Sequence, residues 1–516
     1  EDVPVLCQQD YIAENFALLM AMDFNLILKT RSGRPVEQLR AEYAGGAGAA
    51  AGAVSNDAEA AGGTAGAVPR GAGMAGAAIV LEMSERLQRE EYFLRISRSE
   101  LKIEAGGRAG FIHAYHTIAQ YLLSLPHSAA HEQFYPLHCV EISDMPAVEW
   151  RGAMLDVSRH MFPVEFILHY LDLLALHHYT IFHWHLTDDQ GWRIAIPGYP
   201  KLTEIGAWRD DMTTEHGRYG GFYTVQDIGR VIEHPYRRGI SIVPEIDLPG
   251  HVSSAIAAYP HLSCRKEQID VPVRHGIFKE VLCAGTPEVF AFIESVVRHV
   301  CRLFPSDYLH IGGDECPTDR WEECPSCRAV MRQNEMVSPL ALQGYLMNHA
   351  ARIAGEYDKK LVGWDEVLTV NPDFTPITAV WRDVAYVKDA IASGSSVILC
   401  PAQRGPYLDH KHRDDPTEPG RLGVSTVKDI YSLDLFHDLT VEERSYIMGG
   451  QANLWTEEVK YGRQAEYLSF PRLSALAENL WLPAAHKKWS RFTRSLQPHL
   501  QRLERMGAQP YRGALE

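Results

Sequence analysis

The chain has 516 residues with 46% hydrophobic and 22% charged side chains, an ordinary globular balance with length for roughly two to four domains. A net charge of −16 without a basic cluster argues against nucleic acid or an anionic membrane as a partner. No charge-free apolar run reaches the roughly 18 residues of a membrane span. The chain starts at Glu1 without a Met and shows no signal peptide, so compartment and oligomeric state stay open.

Residues 1–143 read as a small α/β domain. Strands are expected at Phe24–Leu28, Ala78–Glu82 and Tyr92–Ile96, and a helix over Gly110–Leu125. Between Ala44 and Ala77 the chain is Gly/Ala-rich with almost no large apolar side chain, too little to offset its ordering entropy, and a mobile loop is expected. Residues 144–516 change to strand–helix alternation. Strands are expected at Val148–Val157, Thr180–Leu186, Ile240–Pro244, the stretch before Asp314, Leu361–Trp364, Thr378–Trp381, Ser396–Cys400 and Met448–Asn453. Helices are expected over Pro163–His177, Val225–Arg238 (with Pro235 anomalous inside it), Thr286–Leu303, Pro339–Glu356 and Phe470–Leu480. Eight strands with intervening helices is the count of a (β/α)8 barrel.

Active sites of such barrels gather at the C-terminal strand ends. All eight expected ends carry charged or aromatic residues, among them Arg159, His183 to Asp189, Glu245 to His251, and Asp314-Glu315. The later ends carry Trp364-Asp365-Glu366, Trp381, Tyr407-Leu408-Asp409 and Trp455-Thr456-Glu457. Asp314 and Glu315 follow Gly312-Gly313, and neighbours in extended chain point to opposite sides, so the two carboxylates can act differently on one molecule. Trp364, Trp381 and Trp455 suit the apolar faces of a pyranose ring, and Arg159, Asp409 and Glu457 suit its hydroxyls. Glycosidic cleavage needs a proton donor and a stabiliser of the oxocarbenium-like centre.

Those residues resemble the family 20 glycoside hydrolases, the β-N-acetylhexosaminidases. The resemblance rests on Arg151 to His160, His183 to Asp189, Pro244 to His251, His310 to Glu315, Trp364, Trp381, Tyr407 to Asp409 and Trp455 to Glu457. It runs from about Ala147 to Trp481, and loosely over the small domain before it. It implies Glu315 as general acid/base, Asp314 on the substrate's 2-acetamido group, and Tyr407 donating to that group's carbonyl. Asp188, preferred to Asp189 for its spacing from Arg159, and His251 would form a relay to Glu315. Trp364, Trp381 and Trp455 would line the pocket, and Arg159, Asp409 and Glu457 would hold the terminal sugar's hydroxyls. The partner would be a terminal β-linked N-acetylhexosamine, with no cofactor and no metal. Because Asp314 and Glu315 arise from one strand end, the acetamido oxygen is expected to attack in place of a second carboxylate. Related bacterial enzymes often carry a Trp after the Tyr-x-Asp element. His410–Tyr431 has none, which implies a more open leaving-group side.

Two other readings stand beside this one: a non-catalytic sugar-binding barrel, and a metal-dependent barrel hydrolase using His183, His185 and Asp188. Nine cysteines leave at least one outside internal disulfides. Cys264 and Cys283 are expected to pair. Cys324-Pro-Ser-Cys327 has metal-ligand spacing, but a zinc knuckle wants a second pair and no second CxxC exists. No metal is therefore assigned, and the roles of Cys316, Cys324 and Cys327 are left open.

Overall fold

The structure, a computed structural model, describes residues 5–8, 29–30, 78–97, 100–124, 134–211, 217–370, 372–421 and 423–513. The chain separates into two compact units, Glu1–Pro146 and Ala147–Glu516. In the first, a five-stranded sheet takes the order 29–30, 78–83, 100–105, 92–96, 140–144. The helix Arg108–Ser124 packs on this sheet through Phe111, Ile112 and Ile118. Glu100–Ala105 is a strand that the expectation omitted, because its charged residues dilute the apolar signal. The strand expected at Phe24–Leu28 and the Gly/Ala-rich stretch 44–77 lie outside the described residues.

The second unit is a closed parallel barrel. Its strands are β1 (Trp150–Asp156), β2 (Ile181–His185), β3 (Ser241–Glu245), β4 (Tyr308–His310), β5 (Lys360–Trp364), β6 (Ile377–Val380), β7 (Val397–Leu399) and β8 (Ile447–Leu454), with β8 closing on β1. Helices cover the outside, so strands buried on both faces read as near-continuous apolar runs. Among the helices are α1 (Val164–Leu176), α2 (Val225–Tyr236), α3 (Pro287–Leu303), α4 (Pro325–Gln333), α5 (Ala341–Gly355), α6 (Tyr386–Ala392), α7 (Val427–Tyr431) and α8 (Arg472–Trp481).

One detail departs from the sequence reading and one agrees with it. Among the described residues between β5 and β6 there is no α-helix, only the 3-10 turn Asp365–Leu368. That short connection carries Pro372 and Pro376, each without the N–H a helix needs. Pro235 does stand inside α2, as expected, and the N–H it lacks leaves the Val231 carbonyl without its helical donor one residue before the helix ends at Tyr236.

Register decides where the chemistry lands. Asp156 pairs with His185, His185 with Glu245, and Glu245 with His310. These four side chains therefore stand in one row at the C-terminal end of the strands. Below them the barrel interior is closed by Trp150, Met154, Ile181, Val243, Val362 and Ile398.

Candidate active site

Asp314 and Glu315 leave β4 through Gly312 and Gly313, whose φ angles are 63° and 91°. A Cβ on Gly312 would stand 1.8 Å from Asp247 Oδ1, so only glycine lets the chain turn there. Asp247 in turn accepts from the Gly313 amide at 3.1 Å. Glu315 itself has φ 43°, a left-handed backbone that non-glycine residues rarely adopt. The turn sinks Asp314 to 9% exposure and leaves the Glu315 side chain 36% exposed.

Both carboxylates face one imidazole nitrogen. His251 Nε2 lies 3.8 Å from Asp314 Oδ2 and 3.6 Å from Glu315 Oε2. Its other nitrogen, Nδ1, is 3.0 Å from Asp189 Oδ2 and 3.3 Å from Asp188 Oδ1. Asp189 thus stands at least as close to His251 as Asp188 does, and it is fixed by the Ser253 amide and hydroxyl at 2.9 and 2.5 Å. Asp188 is held from behind by Arg159 Nη2 at 2.7 Å and His185 Nε2 at 3.0 Å. His185 Nδ1 hydrogen-bonds Glu245. One buried path therefore runs Glu245, His185, Asp188, His251, Glu315.

Burial sets these charges against each other. Although burial pulls the His251 imidazole down, Asp188, Asp189 and Glu315 hold it well above its ordinary value. His185 is likewise raised against burial by Glu245 and Asp188. The His251 imidazole, 3.6 Å away, draws Glu315 below the usual carboxylate range against the opposing effect of burial. Asp314 goes the other way. Burial raises it, His251 opposes, and the charges of Glu245 and Glu315 add to the rise.

Glu245 deserves more weight than a strand-end residue. Its Oε2 also lies 2.8 Å from His183 Nε2, and its Oε1 accepts from Trp364 Nε1 at 2.9 Å and faces His310 Nδ1 at 3.0 Å. His183 and His185 thus converge on this carboxylate, and of the two His185 is the one whose other nitrogen meets Asp188. His183, Glu245 and His310 are close enough for one ion, but the Trp364 and His185 contacts already account for both Glu245 oxygens.

The pocket wall comes from the later strands. Trp364 and Trp455 lie with ring centroids 5.8 Å apart, and Trp381 stacks on Tyr407 at 6.3 Å. Trp364 is almost fully buried, packed against His310, while Trp381 is only half-buried. Burial pushes the Tyr407 phenol well up, so it stays a neutral O–H donor. Arg159 lies over the Trp455 ring, 5.0 Å from its centroid.

Asp409 and Glu457 meet through Arg421, which donates to each at 2.9 Å. Arg421 was not foreseen. It comes from the tryptophan-free stretch 410–431, which sends a cation to the sugar-hydroxyl end. Burial raises Asp409 to about 7. Glu366, named at its strand end but given no role from the sequence, also belongs to the site. Its carboxylate accepts from Trp381 Nε1 at 2.9 Å, and burial with the charges of Asp314 and Asp365 lifts it to about 8. Its sequence signal was the Asp-Glu pair at a strand end, the same pattern as Asp314-Glu315. Among the described residues, Asp314 Oδ1, Asp409 Oδ1 and Glu457 Oε2 are buried without a hydrogen-bond partner. Buried acceptors are normally satisfied, so three together mark where polar ligand groups belong.

Fold and site together define the class: a (β/α)8 barrel with an acidic, tryptophan-walled pocket of the kind that glycoside hydrolases build. The family model described as "Glycosyl hydrolase family 20, catalytic domain" matches residues 148–484, and the chain belongs to that family. A β-hexosaminidase of Porphyromonas gingivalis is 37% identical over 82% of this chain and 54% of its own length. One from Vibrio furnissii is 34% identical over 78% of this chain and 67% of its own. The chain thus spans about half the length of the first of these relatives. The structure of a family 20 exo-β-N-acetylglucosaminidase from Vibrio harveyi, in complex with N-acetylglucosamine, superposes with a TM-score of 0.78 at 34% identity, covering 84% of this chain and 69% of that one. Among the described residues no helix is long and apolar enough to cross a membrane.

Proposed function

We propose that this chain is a retaining exo-β-N-acetylhexosaminidase that removes terminal non-reducing GlcNAc or GalNAc from glycans or glycoconjugates, with the substrate's acetamido oxygen as nucleophile. The observation that carries this reading is the convergence of Asp314 and Glu315, from one strand end, on one nitrogen of His251. An ordinary retaining enzyme holds its two carboxyl groups about 5–5.5 Å apart on opposite sides of the anomeric carbon. Two neighbours that share one imidazole are poorly arranged for that. They suit a division of labour in which Glu315, the more exposed, protonates the leaving oxygen while buried Asp314 faces the acetamido nitrogen. Tyr407 donates to the acetamido carbonyl, and Trp364, Trp381 and Trp455 enclose the ring. Arg159 with the Arg421-bridged Asp409 and Glu457 holds the hydroxyls.

The test is hydrolysis of aryl β-GlcNAc and β-GalNAc against the corresponding β-glucoside. Both N-acetylated substrates are expected to turn over with the β-anomer released first, and the glucoside, which lacks the acetamido group, to be inert. Comparable turnover of the glucoside would refute the proposal.

The charges also imply a pH profile. A general acid must carry a proton, yet Glu315 alone is depressed by His251. The working proton therefore belongs to the Glu315–His251 pair, which titrates as a unit. Since His251 is raised, the pair keeps that proton above the ordinary imidazole value of about 6.5. The basic limb of kcat/KM is expected above that pH. The acid limb follows Asp314, which must be ionised and whose raised pKa moves the limb above the ordinary carboxylate value of about 3.9. In His251→Asn the shared proton has only Glu315 to rest on, and the basic limb should move toward acid. An unmoved limb would separate His251 from the proton.

A further inference from the structure

The expected Cys264–Cys283 disulfide is not formed, and both thiols are free. Their sulfurs instead join those of Cys324 and Cys327 in one group, all four within 4.8 Å of one another, while Cys316 stands apart from it. The spacings are informative. Cys264 Sγ lies 3.7 Å from Cys327 Sγ, and Cys283 Sγ lies 3.6 Å from Cys327 and 3.9 Å from Cys324. A disulfide needs about 2.05 Å. A tetrahedron with metal–sulfur bonds of about 2.3 Å has edges of about 3.8 Å. The observed distances are those edges.

The second pair of ligands, absent from the sequence as a CxxC, is supplied by the fold. Cys264 and Cys283 both lie in the long connection between β3 and α3, where a bridge between Ser263 and Leu282 brings its two halves together. Cys324 caps α4 and Cys327 lies in its first turn. The two segments approach closely, since a Cβ on Gly285 would stand 2.6 Å from the Cys327 nitrogen and 2.4 Å from the Ser326 carbonyl carbon. Trp321 Nε1 donates to Leu282 O at 2.9 Å, and Arg320–Glu280 and Lys279–Asp319 ion pairs cross the same boundary.

Thr286 sits at the N-cap of α3 without a side-chain cap hydrogen bond, and its amide donates to the Cys283 carbonyl at 3.2 Å, which fixes the turn that carries Cys283. Cys283, Cys324 and Cys327 are buried, and Cys264 is half-buried at the rim. Among the described residues no Lys, Arg or His side chain hydrogen-bonds any of the four sulfurs, whose side-chain partners are one another, so four thiolates there would need a metal to neutralise them.

We propose that Cys264, Cys283, Cys324 and Cys327 bind one structural zinc ion that fastens the loop after β3 to the helix after β4. Four sulfur ligands in a closed tetrahedron leave no open position for catalysis, and soft thiolates select zinc over hard cations. The ion would tie down the loop that reaches the sugar pocket. Between the two cysteines of that loop, Arg274 O accepts from Gln190 Nε2 at 3.1 Å, and Gln190 Oε1 accepts from Arg159 Nε at 3.0 Å. Arg274, Ile277 and Phe278 of the same loop line a cleft of about 710 Å³.

The experiment uses the full chain purified without chelator. Metal analysis is expected to find one zinc per chain, released stoichiometrically as a mercurial thiol reagent titrates the four cysteines. Exchange into cobalt(II) should give intense thiolate-to-metal absorption. In Cys264→Ser, where the least buried ligand becomes a weak oxygen donor, zinc should be lost or held far more loosely. Substoichiometric metal with all four thiols open to alkylation in the native protein would overturn the proposal. So would intact mass and peptide mapping that place the four cysteines in two disulfides.

Discussion

Glu315→Gln should abolish measurable turnover of glycosides with poor leaving groups, by a factor on the order of 10²–10⁴, while costing much less on activated aryl glycosides. The side chain is the one carboxylate of the central group that reaches toward solvent, at 36% exposure, and it lies 3.6 Å from the nitrogen that would feed it a proton. Glutamine keeps the shape and removes the proton that can be given. An alkoxide leaving group needs that proton in the transition state. A nitrophenolate does not, so the two substrates separate acid catalysis from positioning. Glutamine also removes one of the charges that raise His251, so the imidazole should titrate lower in the variant. Steady-state kcat/KM on a chitobiose-type substrate and on a nitrophenyl glycoside decides it. Equal losses on both would take Glu315 out of the acid role.

The barrel was legible because parallel strands buried on both faces leave compact apolar or aromatic runs such as Ile181–His185 and Lys360–Trp364, and because functional residues follow those runs at regular intervals. The helix missing after β5 was not legible. Prolines forbid a helix there, yet alternation of strand and helix elsewhere invites one. In the site, the residues that could be named were those attached directly to strand ends. Arg421 could not, since it reaches Asp409 and Glu457 from a loop whose sequence carries no period. Nor could the choice between Asp188 and Asp189, because adjacent carboxylates differ only in what the fold sets against each. Asp189 has Ser253 and Asp188 has Arg159 and His185. The four cysteines fail as a motif for the same reason. One pair is a helix-capping CxxC, and the other is split between the ends of a loop that only the folded chain closes.

Asp314→Asn tests the nucleophile. If the acetamido oxygen attacks the anomeric carbon, positive charge grows on the acetamido nitrogen as a cyclic oxazolinium-type intermediate forms. A carboxylate buried beside that nitrogen stabilises the charge where little water screens it, and a buried Asp314 Oδ1 without a partner is placed for such a contact. Asparagine retains size and hydrogen bonding but not charge. A loss on the order of 10²–10³ in kcat is expected, comparable to removal of one preorganised electrostatic group elsewhere. Two further measurements distinguish this role from simple damage to the pocket. In the unsubstituted enzyme the rate should fall steeply as fluorine replaces hydrogen on the acetyl methyl, because fluorine withdraws electrons from the attacking oxygen. A thiazoline analogue of the cyclic intermediate should inhibit strongly. In Asp314→Asn the fluorine dependence should change and the thiazoline should bind more weakly, while affinity for a product that carries no positive charge changes less. A rate indifferent to fluorination with chemistry limiting, or a covalent sugar–carboxylate adduct trapped on the protein, would instead assign the attack to an enzyme carboxylate.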